Sequence, residues 1–268
     1  MRKGALNVAI KAARAAGAVI LRHINKLESL TVVEKDKLDF ASEVDRAAEA
    51  EIVRELRRAF PDHAILAEES GASGRSRFTW IIDPLDGTHN YLRGFPHFSV
   101  SIALAENGEP QHGLVFDPIR DELFTASKGG GAFVNDKRMR VAGRTTLAGS
   151  LLATGFPFRQ RQHIDAHLAM TRAILVGAQA EDIRRTGSAA LDLAYVAAGR
   201  LDGYWEIGLK PWDMAAGSLL VREAGGRCLD FRGEADFMTT GNVIAGNLKI
   251  SDALATIVAN HATAAISK

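Results

Sequence analysis

Cysteine is almost absent from the sequence: Cys228 is the only one in 268 residues. A single cysteine excludes a disulfide within the chain and fits a protein of a reducing compartment. Cys228 lies in an apolar run, which favours a small buried core residue over a reactive thiol. We therefore expect a cytoplasmic protein.

Long apolar runs and an excess of one charge are also lacking. No uninterrupted stretch of 18 apolar residues occurs, and the alanine-rich start has the spacing of an amphipathic helix, not of a signal peptide. Lys plus Arg number 33 and Asp plus Glu 32, which gives a net charge of +1 and no global field for nucleic acid or a membrane. We expect no membrane partner, and any charged interaction surface must be local.

Hydrophobic residues make up 47% of the chain, enough for one large domain or two intimate halves. Residues 4–27 have helical spacing, and a second helix ending at Pro61 is predicted from Val44, Ala48, Ile52, Leu56 and Phe60. Apolar runs predict strands at 30–33, 64–67, 98–105, 113–116, 122–127, 132–134, 151–154 and 203–207. The charged residues 34–39 predict a loop. Gly129–Gly131 lacks the Lys-Ser/Thr of a phosphate loop, so a hairpin turn is predicted there.

The stretch from Trp80 to Asn90 carries the strongest chemical signal. Three apolar residues predict a strand that ends at Ile82 and opens into a tight turn holding Asp83 and Asp86. The two carboxylates and the Leu85 carbonyl would then offer oxygen ligands to one hard cation. Asp-Pro and Asp-Gly pairs are also typical of a plain surface turn, which remains an equal alternative for this stretch taken alone.

An aspartyl-phosphate enzyme is a third interpretation of the same stretch. Haloacid-dehalogenase phosphatases end a similar strand in Asp-x-Asp-Gly-Thr, where the two acids are two residues apart and share one side of the strand. Here Asp83 and Asp86 are three apart. That register favours metal-assisted hydrolysis.

Other acids and a histidine pair have weaker signals. Glu68, like Asp83, ends an apolar run, and neighbouring strands would bring the two carboxylates together. Asp45 and Asp213 lie near predicted helix starts, where each has an alternative reading as a helix cap. His163 and His167 have the spacing of a zinc pair but no third ligand nearby, so an exposed helix face is favoured.

Three motifs together resemble the inositol monophosphatase family over nearly the whole chain: Glu68-Glu69-Ser70, Asp83-Pro84-Leu85-Asp86-Gly87-Thr88-x-Asn90, and Trp212-Asp213-x-Ala215-Ala216-Gly217. Within that family, Thr154–Phe158 and Arg185–Gly199 look most like the bacterial SuhB-type proteins. The resemblance implies an α+β fold, the αβαβα layered sandwich of the inositol monophosphatase and fructose-1,6-bisphosphatase type. It also implies a homodimer that hydrolyses phosphate monoesters with Mg²⁺ and is inhibited by lithium.

The resemblance also implies roles for single residues. One Mg²⁺ would be held by Glu68, Asp83 and the Leu85 carbonyl, and a second by Asp83, Asp86 and Asp213. Glu68 and Thr88 would activate the attacking water. Glu69 would support these ligands, and Asp45 would lie near a weaker third metal.

On the substrate side, the resemblance implies that the N–H groups of Gly87 and Thr88 hold phosphate oxygens. Glu206 and the Ala189 backbone would contact sugar or inositol hydroxyls. Two positions depart from the family pattern: His89 replaces a common Thr, and Asp36-Lys37-Leu38 is more charged than usual. Both departures bear on substrate preference.

These observations predict a Mg²⁺-dependent hydrolase of inositol-1-phosphate and related polyol phosphates. Alternatives are a bisphosphate nucleotidase, a fructose-1,6-bisphosphatase, or an interaction protein with incidental phosphatase activity. SuhB-type relatives are associated with NusA and RNA polymerase in ribosomal RNA antitermination. Arg184 and Arg185 are candidates for such a surface, for a solvated helix start or for homodimer contacts.

The predicted architecture is a single compact domain. Residues 1 to about 145 and about 146 to 268 would each contribute a sheet with flanking helices. A two-metal site further requires that the Asp83 and Asp213 carboxylates lie within about 8 Å, because metal–oxygen bonds are only about 2 Å long.

Overall fold

The computed structural model describes residues 2–29, 32–36, 39–263 and 266. The predicted strand residues Leu30 and Thr31 and the departures at Lys37 and Leu38 lie outside these residues. The helices are α1 (Arg2–His23), α2 (Glu43–Ala59), α3 (Thr88–Leu92), α4 (Ile164–Arg172), α5 (Ala189–Ala197), α6 (Pro211–Glu223), α7 (Phe237–Thr240) and α8 (Leu248–His261). Short 3₁₀ or π turns cover Ile24–Ser29, Arg161–His163 and Ala173–Gly177.

The strands form two main sheets and one hairpin. They are β1 (Val32–Asp36), β2 (Asp39–Ser42), β3 (Ala64–Ala67), β4 (Gly71–Ser73), β5 (Phe78–Asp86), β6 (Ser99–Glu106), β7 (Glu109–Asp117), β8 (Glu122–Ser127), β9 (Gly131–Val134), β10 (Lys137–Arg138), β11 (Leu151–Thr154), β12 (Asp182–Arg184), β13 (Gly203–Glu206), β14 (Arg227–Leu229) and β15 (Val243–Gly246). The eight-stranded sheet has the order β10-β9-β8-β7-β6-β5-β3-β4, and the five-stranded sheet has the order β12-β11-β13-β15-β14. β1 and β2 pair with each other.

Five layers result, in the predicted αβαβα order. α1 and α2 cover one face of the large sheet, and α5 and α6 fill the space between the two sheets. α8, with α4 against it, covers the far side of the small sheet. Each sheet thus buries both faces, which explains why its central strands read as nearly continuous apolar runs.

Alanine is the main core residue of α1. Ala5, Ala9, Ala12, Ala13, Ala16 and Ile20 are buried, and α1 packs on α2 and on the large sheet. Among the described helices, the part from Gly4 to His23 alone has the length and hydropathy to cross a membrane. Its contacts within the core account for that apolar composition.

Close packing in the middle layer depends on small residues. A Cβ on Gly217 of α6 would lie 2.5 Å from the Leu193 Cβ of α5, and a Cβ on Gly113 of β7 would lie 3.0 Å from the Ala216 Cα. These helices therefore approach each other and the sheet as closely as the Ala-Ala-Gly sequence predicts.

The predictions for residues 34–39 and for the histidine pair were wrong. Residues 34–39 do not form a loop throughout, because β1 runs to Asp36 and β2 begins at Asp39. His163 and His167 do not form an exposed face: the first is 7% and the second 0% exposed. α4 lies against α8, and the His167 ring stacks on Trp205 of the small sheet at 6.1 Å.

Candidate active site

The site begins where two parallel strands end side by side. β3 and β5 pair in parallel with Ala67 opposite Ile82, and the Glu68 N–H donates to the Ile82 carbonyl at 3.1 Å. Parallel strands end at the same edge of a sheet, so Glu68 comes to lie next to Asp83. The Glu68 carboxylate helps to raise the pKa of Asp83. The prediction that neighbouring strands join these acids is confirmed.

A β-bulge places Asp86 on the same side of the sheet as Asp83. β5 does not end at Ile82 as predicted but continues to Asp86, with Asp83 opposite Ser101 and Asp86 opposite Ser99. Three steps along β5 thus match two along β6, which reverses the alternation that would otherwise separate the two carboxylates. Pro84 lies in this interval, where it has no N–H to give to the ladder. It is buried, so the plain surface turn is wrong.

Asp213 reaches the same point from the middle layer. α6 begins with Pro211, and the Asp213 Oδ2 accepts the Lys210 N–H at 2.8 Å. Ligand oxygens of Asp83, Asp86 and Asp213 all lie within 4.8 Å of one another. The distance condition for a shared metal is therefore met, and the helix cap that was the alternative for Asp213 is formed as well.

Crowding of these acids raises their pKa values. Burial, followed by the charges of Glu68, Asp86 and Asp213, raises the pKa of Asp83 well above its usual value. Burial and then the charge of Asp86 do the same for the pKa of Asp213. The repulsion between carboxylates held this close is relieved either by protons or by a cation. An all-oxygen donor set of this kind fits a hard divalent cation.

Asp86 is held by the start of α5. The Ser188 hydroxyl and the Ala190 N–H donate to its Oδ2 at 2.6 and 2.7 Å. Burial raises the pKa of Asp86 to about 6, and these donors act in the opposite direction because they favour the anion. Of the three acids, Asp86 is therefore the one whose charged form the protein stabilises most through hydrogen bonds.

Thr88 and Asp45 form a hydroxyl–carboxylate pair. The Thr88 hydroxyl lies 2.8 Å from the Asp45 Oδ1 and 3.0 Å from the Leu85 carbonyl oxygen. The Asp45 Oδ2 accepts the N–H of Ser42 at 2.8 Å and also its hydroxyl, within the capping box of α2. Asp45 is fully buried. It caps a helix and holds Thr88 at the same time.

Gly87 supplies the turn into α3. Its φ is +94°, and a Cβ there would lie 3.0 Å from the His97 carbonyl oxygen. Both the left-handed backbone and the tight contact therefore favour glycine. The Asn90 amide donates to the carbonyls of His97 and Thr186 at 2.7 and 2.8 Å. This amide fastens α3 to the segment that precedes α5.

Glu206 lies at the end of β13, in the wall of the same cleft. The Tyr204 hydroxyl donates to its Oε2, and burial raises the pKa of Glu206 to about 7. A Cβ on Gly155 would lie 2.0 Å from the Glu206 Oε1, so the absence of a side chain at position 155 makes room for the carboxylate. Glu206 thus has one oxygen engaged by the protein.

A cleft of about 340 Å³ unites most of the predicted site residues. Its walls include nine of the eleven: Glu68, Asp83, Leu85, Asp86, Gly87, Thr88, Ala189, Glu206 and Asp213. Asp45 and Glu69 are not in the wall. Asp45 lies behind Thr88, whereas the Glu69 carboxylate lies 4.0 Å from the Arg46 guanidinium.

Sequence reasoning missed several residues that shape the site. The Glu49 carboxylate of α2 accepts the N–H groups of Glu69 and Ser70 at 2.8 and 2.9 Å. Its signal was present, since Glu49 follows Asp45 by four positions beside the apolar stripe of α2. Ser188 gave no comparable signal, because its partner Asp86 is distant in sequence. Tyr204 did have a local signal, since it precedes Glu206 by two positions and so lies on the same side of β13.

The arginine pair separates in the structure. Arg184 ends the edge strand β12 and pairs with Asp182. Arg185 lines the cleft that holds Glu206 and Asp213. Its distance from the metal ligands along the chain did not mean distance in space, so the two arginines do not form one common surface apart from the site.

Comparison with known proteins places the chain in a family. The model of the "Inositol monophosphatase family" matches residues 2–263. The chain is 57% identical to the Nus factor SuhB of Xylella fastidiosa over 264 residues, which is 96% of this chain and 95% of that protein. It is 53% identical to the Nus factor SuhB of Pseudomonas aeruginosa, with 96% of each chain covered.

Solved structures agree with the sequence matches. The extragenic suppressor protein suhB of Bartonella henselae superposes with a TM-score of 0.91 at 46% identity and covers 94% of this chain and 97% of its own. The inositol monophosphatase of Anabaena has a TM-score of 0.83 at 40% identity, with 95% of both chains covered. The predicted fold is confirmed, and the chain belongs to the inositol monophosphatase family.

Proposed function

We propose that this protein hydrolyses phosphate monoesters of polyols with Mg²⁺, and that inositol-1-phosphate is a substrate. The observation that carries the proposal is the convergence of the Asp83, Asp86 and Asp213 carboxylates within 4.8 Å at the floor of an open cleft. Carboxylate and carbonyl oxygens suit Mg²⁺. Glu68, Asp83 and the Leu85 carbonyl would hold one ion, and Asp83, Asp86 and Asp213 another.

Bound cations would neutralise the phosphate, lower the pKa of a water molecule and stabilise the leaving oxygen. The chain's own groups then position the reactants. When the Thr88 hydroxyl donates to Asp45 Oδ1, the Thr88 oxygen is left as an acceptor for a water proton. Glu68 offers a second acceptor in the same wall. The N–H groups of Gly87 and Thr88 would hold phosphate oxygens.

Charge neutralisation decides the outcome of this reaction. A phosphate monoester dianion repels hydroxide, and its uncatalysed hydrolysis is among the slowest known. In this scheme Asp45 lies behind Thr88 and does not bind a cation itself, because its Oδ2 accepts a hydrogen bond from Ser42 and its Oδ1 accepts one from Thr88. We therefore favour a supporting role for Asp45 over direct binding of a third metal.

The substrate hydroxyls would be bound by another part of the cleft wall. Glu206 and the Ala189 backbone lie in the wall there, and the Tyr204 hydroxyl orients the Glu206 carboxylate. These groups would bind neighbouring hydroxyls, such as those of inositol, glycerol or ribose. Fructose-1,6-bisphosphate and adenosine 3′,5′-bisphosphate are the alternative substrates within the same reaction class.

A phosphate-release panel tests the proposal. Inositol-1-phosphate, glycerol-2-phosphate, a nucleoside 2′-monophosphate and the two bisphosphates are compared in Mg²⁺, in EDTA, and in Mg²⁺ with lithium. We expect turnover of inositol-1-phosphate that requires Mg²⁺ and falls with lithium. Absence of Mg²⁺-dependent release from every substrate would refute the proposal.

A role in transcription is a second candidate, favoured by the relatives named Nus factor SuhB at 57% and 53% identity. We propose that such a role would act through NusA and RNA polymerase and would not require hydrolysis. Asp83→Asn should then abolish phosphate release and leave NusA affinity within about threefold, which is less than about 0.7 kcal/mol. Failure of the wild-type protein to bind NusA in calorimetric titration would remove this candidate.

We further propose a cytoplasmic homodimer in which each chain is a single domain. The layered arrangement supports the single domain, since α5 and α6 pack against strands of both sheets. Light scattering of the purified protein measures the oligomeric state directly.

A further inference from the structure

Two turns with left-handed glycines lie against each other in the cleft wall. The φ angles of Gly87 and Gly187 are +94° and +90°, and a Cβ on Gly87 would lie 3.2 Å from the Gly187 carbonyl oxygen. The first turn follows Asp86 directly, and the second leads to the Ser188 hydroxyl and the Ala190 N–H, which both donate to the Asp86 carboxylate. A shift of one turn relative to the other would therefore move these donors away from Asp86.

Thr186 fixes the second turn through two hydrogen bonds. Its carbonyl accepts the Asn90 amide at 2.8 Å, and the same amide nitrogen donates to the His97 carbonyl at 2.7 Å. Its hydroxyl donates to the Asp192 Oδ1 at 2.7 Å. The first bond joins the turn to α3, and the second joins it to α5, the helix whose start holds Asp86.

Asp192 is a buried acid close to the cleft, although α5 is capped without it. It is 1% exposed. Burial raises its pKa well above the usual value, the Thr186 hydroxyl acts in the opposite direction, and the charges of Glu206 and Asp86 raise the pKa further. The cap of α5 is Ser188, whose hydroxyl accepts the Leu191 N–H at 3.4 Å. An acid at the start of a helix is favoured by the dipole even when it is exposed, so the dipole does not account for a buried carboxyl group, which is costly.

We propose that Asp192 is a positioning residue for the cation site: through the Thr186 hydroxyl it holds the turn before α5 so that Ser188 and Ala190 meet Asp86. The inference rests on the proposed function, in which Asp86 is a ligand of the second cation. Neither Thr186 nor Asp192 lines the cleft, so both act through the turn and not on the substrate. Loss of their hydrogen bond is therefore expected to weaken cation binding.

Substitutions that separate the hydroxyl of residue 186 from its shape test the inference. Thr186→Val keeps the branched side chain and removes the donor, whereas Thr186→Ser keeps the donor. Mg²⁺ affinity is measured by calorimetric titration without substrate, beside phosphate release and urea unfolding in EDTA. We expect Thr186→Val to raise the Mg²⁺ Kd about tenfold, the lower end of the usual effect of residues that hold metal ligands. Thr186→Ser should stay within about threefold of the wild type.

The acceptor end of the hydrogen bond has its own variants. Asp192→Asn keeps an acceptor oxygen without the charge, so its Mg²⁺ Kd should also stay within about threefold of the wild type. Asp192→Ala removes the acceptor and should match Thr186→Val, and the double variant should show no further loss, because both changes break one bond. Thr171→Val is the control, since its hydroxyl donates to the His167 carbonyl within α4 and does not line the cleft.

An unchanged Mg²⁺ Kd in Thr186→Val would overturn the inference, and a loss of stability alone would show that the bond serves only the fold. Equal losses in Thr186→Val and Thr186→Ser would also overturn it, as would an Asp192→Asn variant as weak as Asp192→Ala. If Asp192→Ala does not fold, the comparison of Val with Ser at position 186 decides. A wild-type protein that binds Mg²⁺ and hydrolyses inositol-1-phosphate in those cases keeps the proposed function. Absence of both in the wild type would instead refute the proposed function and the inference with it.

Discussion

At the scale of single residues, the site gives up stability to concentrate negative charge. Asp83 is 2% exposed and Asp213 is 8% exposed, and each has a carboxylate of the trio as a neighbour. Burial of like charges is unfavourable unless a proton or a cation intervenes. The arrangement therefore makes sense as a binding site and not as part of a stabilising core.

Asp83→Asn tests whether the concentrated negative charge serves the activity and lowers the stability. We expect the variant to lose nearly all turnover, because the shared ligand of both proposed cations loses its charge. Its stability without metal should stay the same or rise, since the repulsion with Glu68, Asp86 and Asp213 falls. Phosphate release at saturating Mg²⁺ and urea unfolding in EDTA measure the two effects. Asp62→Asn, at an exposed acid, is the control. More than a tenth of wild-type activity would contradict the assigned role.

Glu206 predicts a pH dependence of stability. Its pKa is raised by burial from 4.5 to about 7, so between these pH values the folded state holds a proton that the unfolded state has lost. Stability from this group is complete below pH 4.5 and is lost as the pH rises through 7. Glu206→Gln removes that loss. We expect the variant to gain about 2–3 kcal/mol on the wild type between pH 5 and pH 8, because the pKa of Glu206 is raised from 4.5 to about 7 and one pKa unit corresponds to about 1.4 kcal/mol.

Urea unfolding of both proteins in EDTA at several pH values measures the Glu206 effect. Taking the difference between the two proteins cancels the contributions of the buried histidines, which have lowered pKa values and the opposite sign. A difference that does not change with pH would show that Glu206 is ionised throughout this range.

At the scale of elements, α2 positions residues at the edge of the large sheet where the site lies. Its first turn holds Thr88 through Asp45, and its next turn holds the segment after β3 through Glu49. The two acids are four positions apart and so lie on one face of the helix. A single helix thereby positions residues from two strands.

Glu49→Gln tests this positioning role of α2. Gln has one acceptor oxygen, so the N–H of Glu69 or of Ser70 loses its partner. We expect a loss of about 1–3 kcal/mol in stability, the usual worth of a hydrogen bond to a charged group. The Mg²⁺ concentration for half-maximal activity should also rise, because Glu68, a proposed metal ligand, directly precedes Glu69, whose N–H Glu49 binds. Glu51→Gln, which removes only the surface pair with Arg54, should cost less than about 1 kcal/mol. Equal costs for the two variants would contradict the role of Glu49.

At the scale of the whole molecule, the middle layer connects both sheets and completes the site. Asp83 and Asp86 belong to the large sheet, Ser188 caps α5, and Asp213 lies in the first turn of α6. Separation of the layers would therefore take the site apart. Folding and cation binding should be coupled.

We expect one cooperative unfolding transition in EDTA, displaced upward by Mg²⁺. Trp80 reports on the core under α1 and α2, and Trp205 on the core under α8. Fluorescence of Trp80→Phe and Trp205→Phe, compared with circular dichroism, should give coincident midpoints. Mg²⁺ at 100 times its Kd should add about 2.7 kcal/mol, which corresponds to a rise in Tm of roughly 5–11 °C for a chain of this size. Two separate transitions would contradict the single domain.

The sequence by itself determined the local elements and the identity of the acids. Periodic apolar residues predicted α2 to within a residue, and short apolar runs predicted β3, β8 and β11 with their observed bounds. Local patterns suffice there because helix and strand periods are properties of neighbouring residues. The roles of Asp83, Asp86 and Asp213 came from motif resemblance and not from these periods.

Only the tertiary structure decided which side chains meet. The bulge in β5 depends on its pairing with β6, and that pairing turns Asp86 toward Asp83. Likewise, Glu49, Ser188 and Arg185 reach the site through contacts with distant segments. His167 is buried because α4 packs on α8 beside Trp205, although its own helix reads as half polar. Burial and proximity are set by packing between elements, which no local pattern contains.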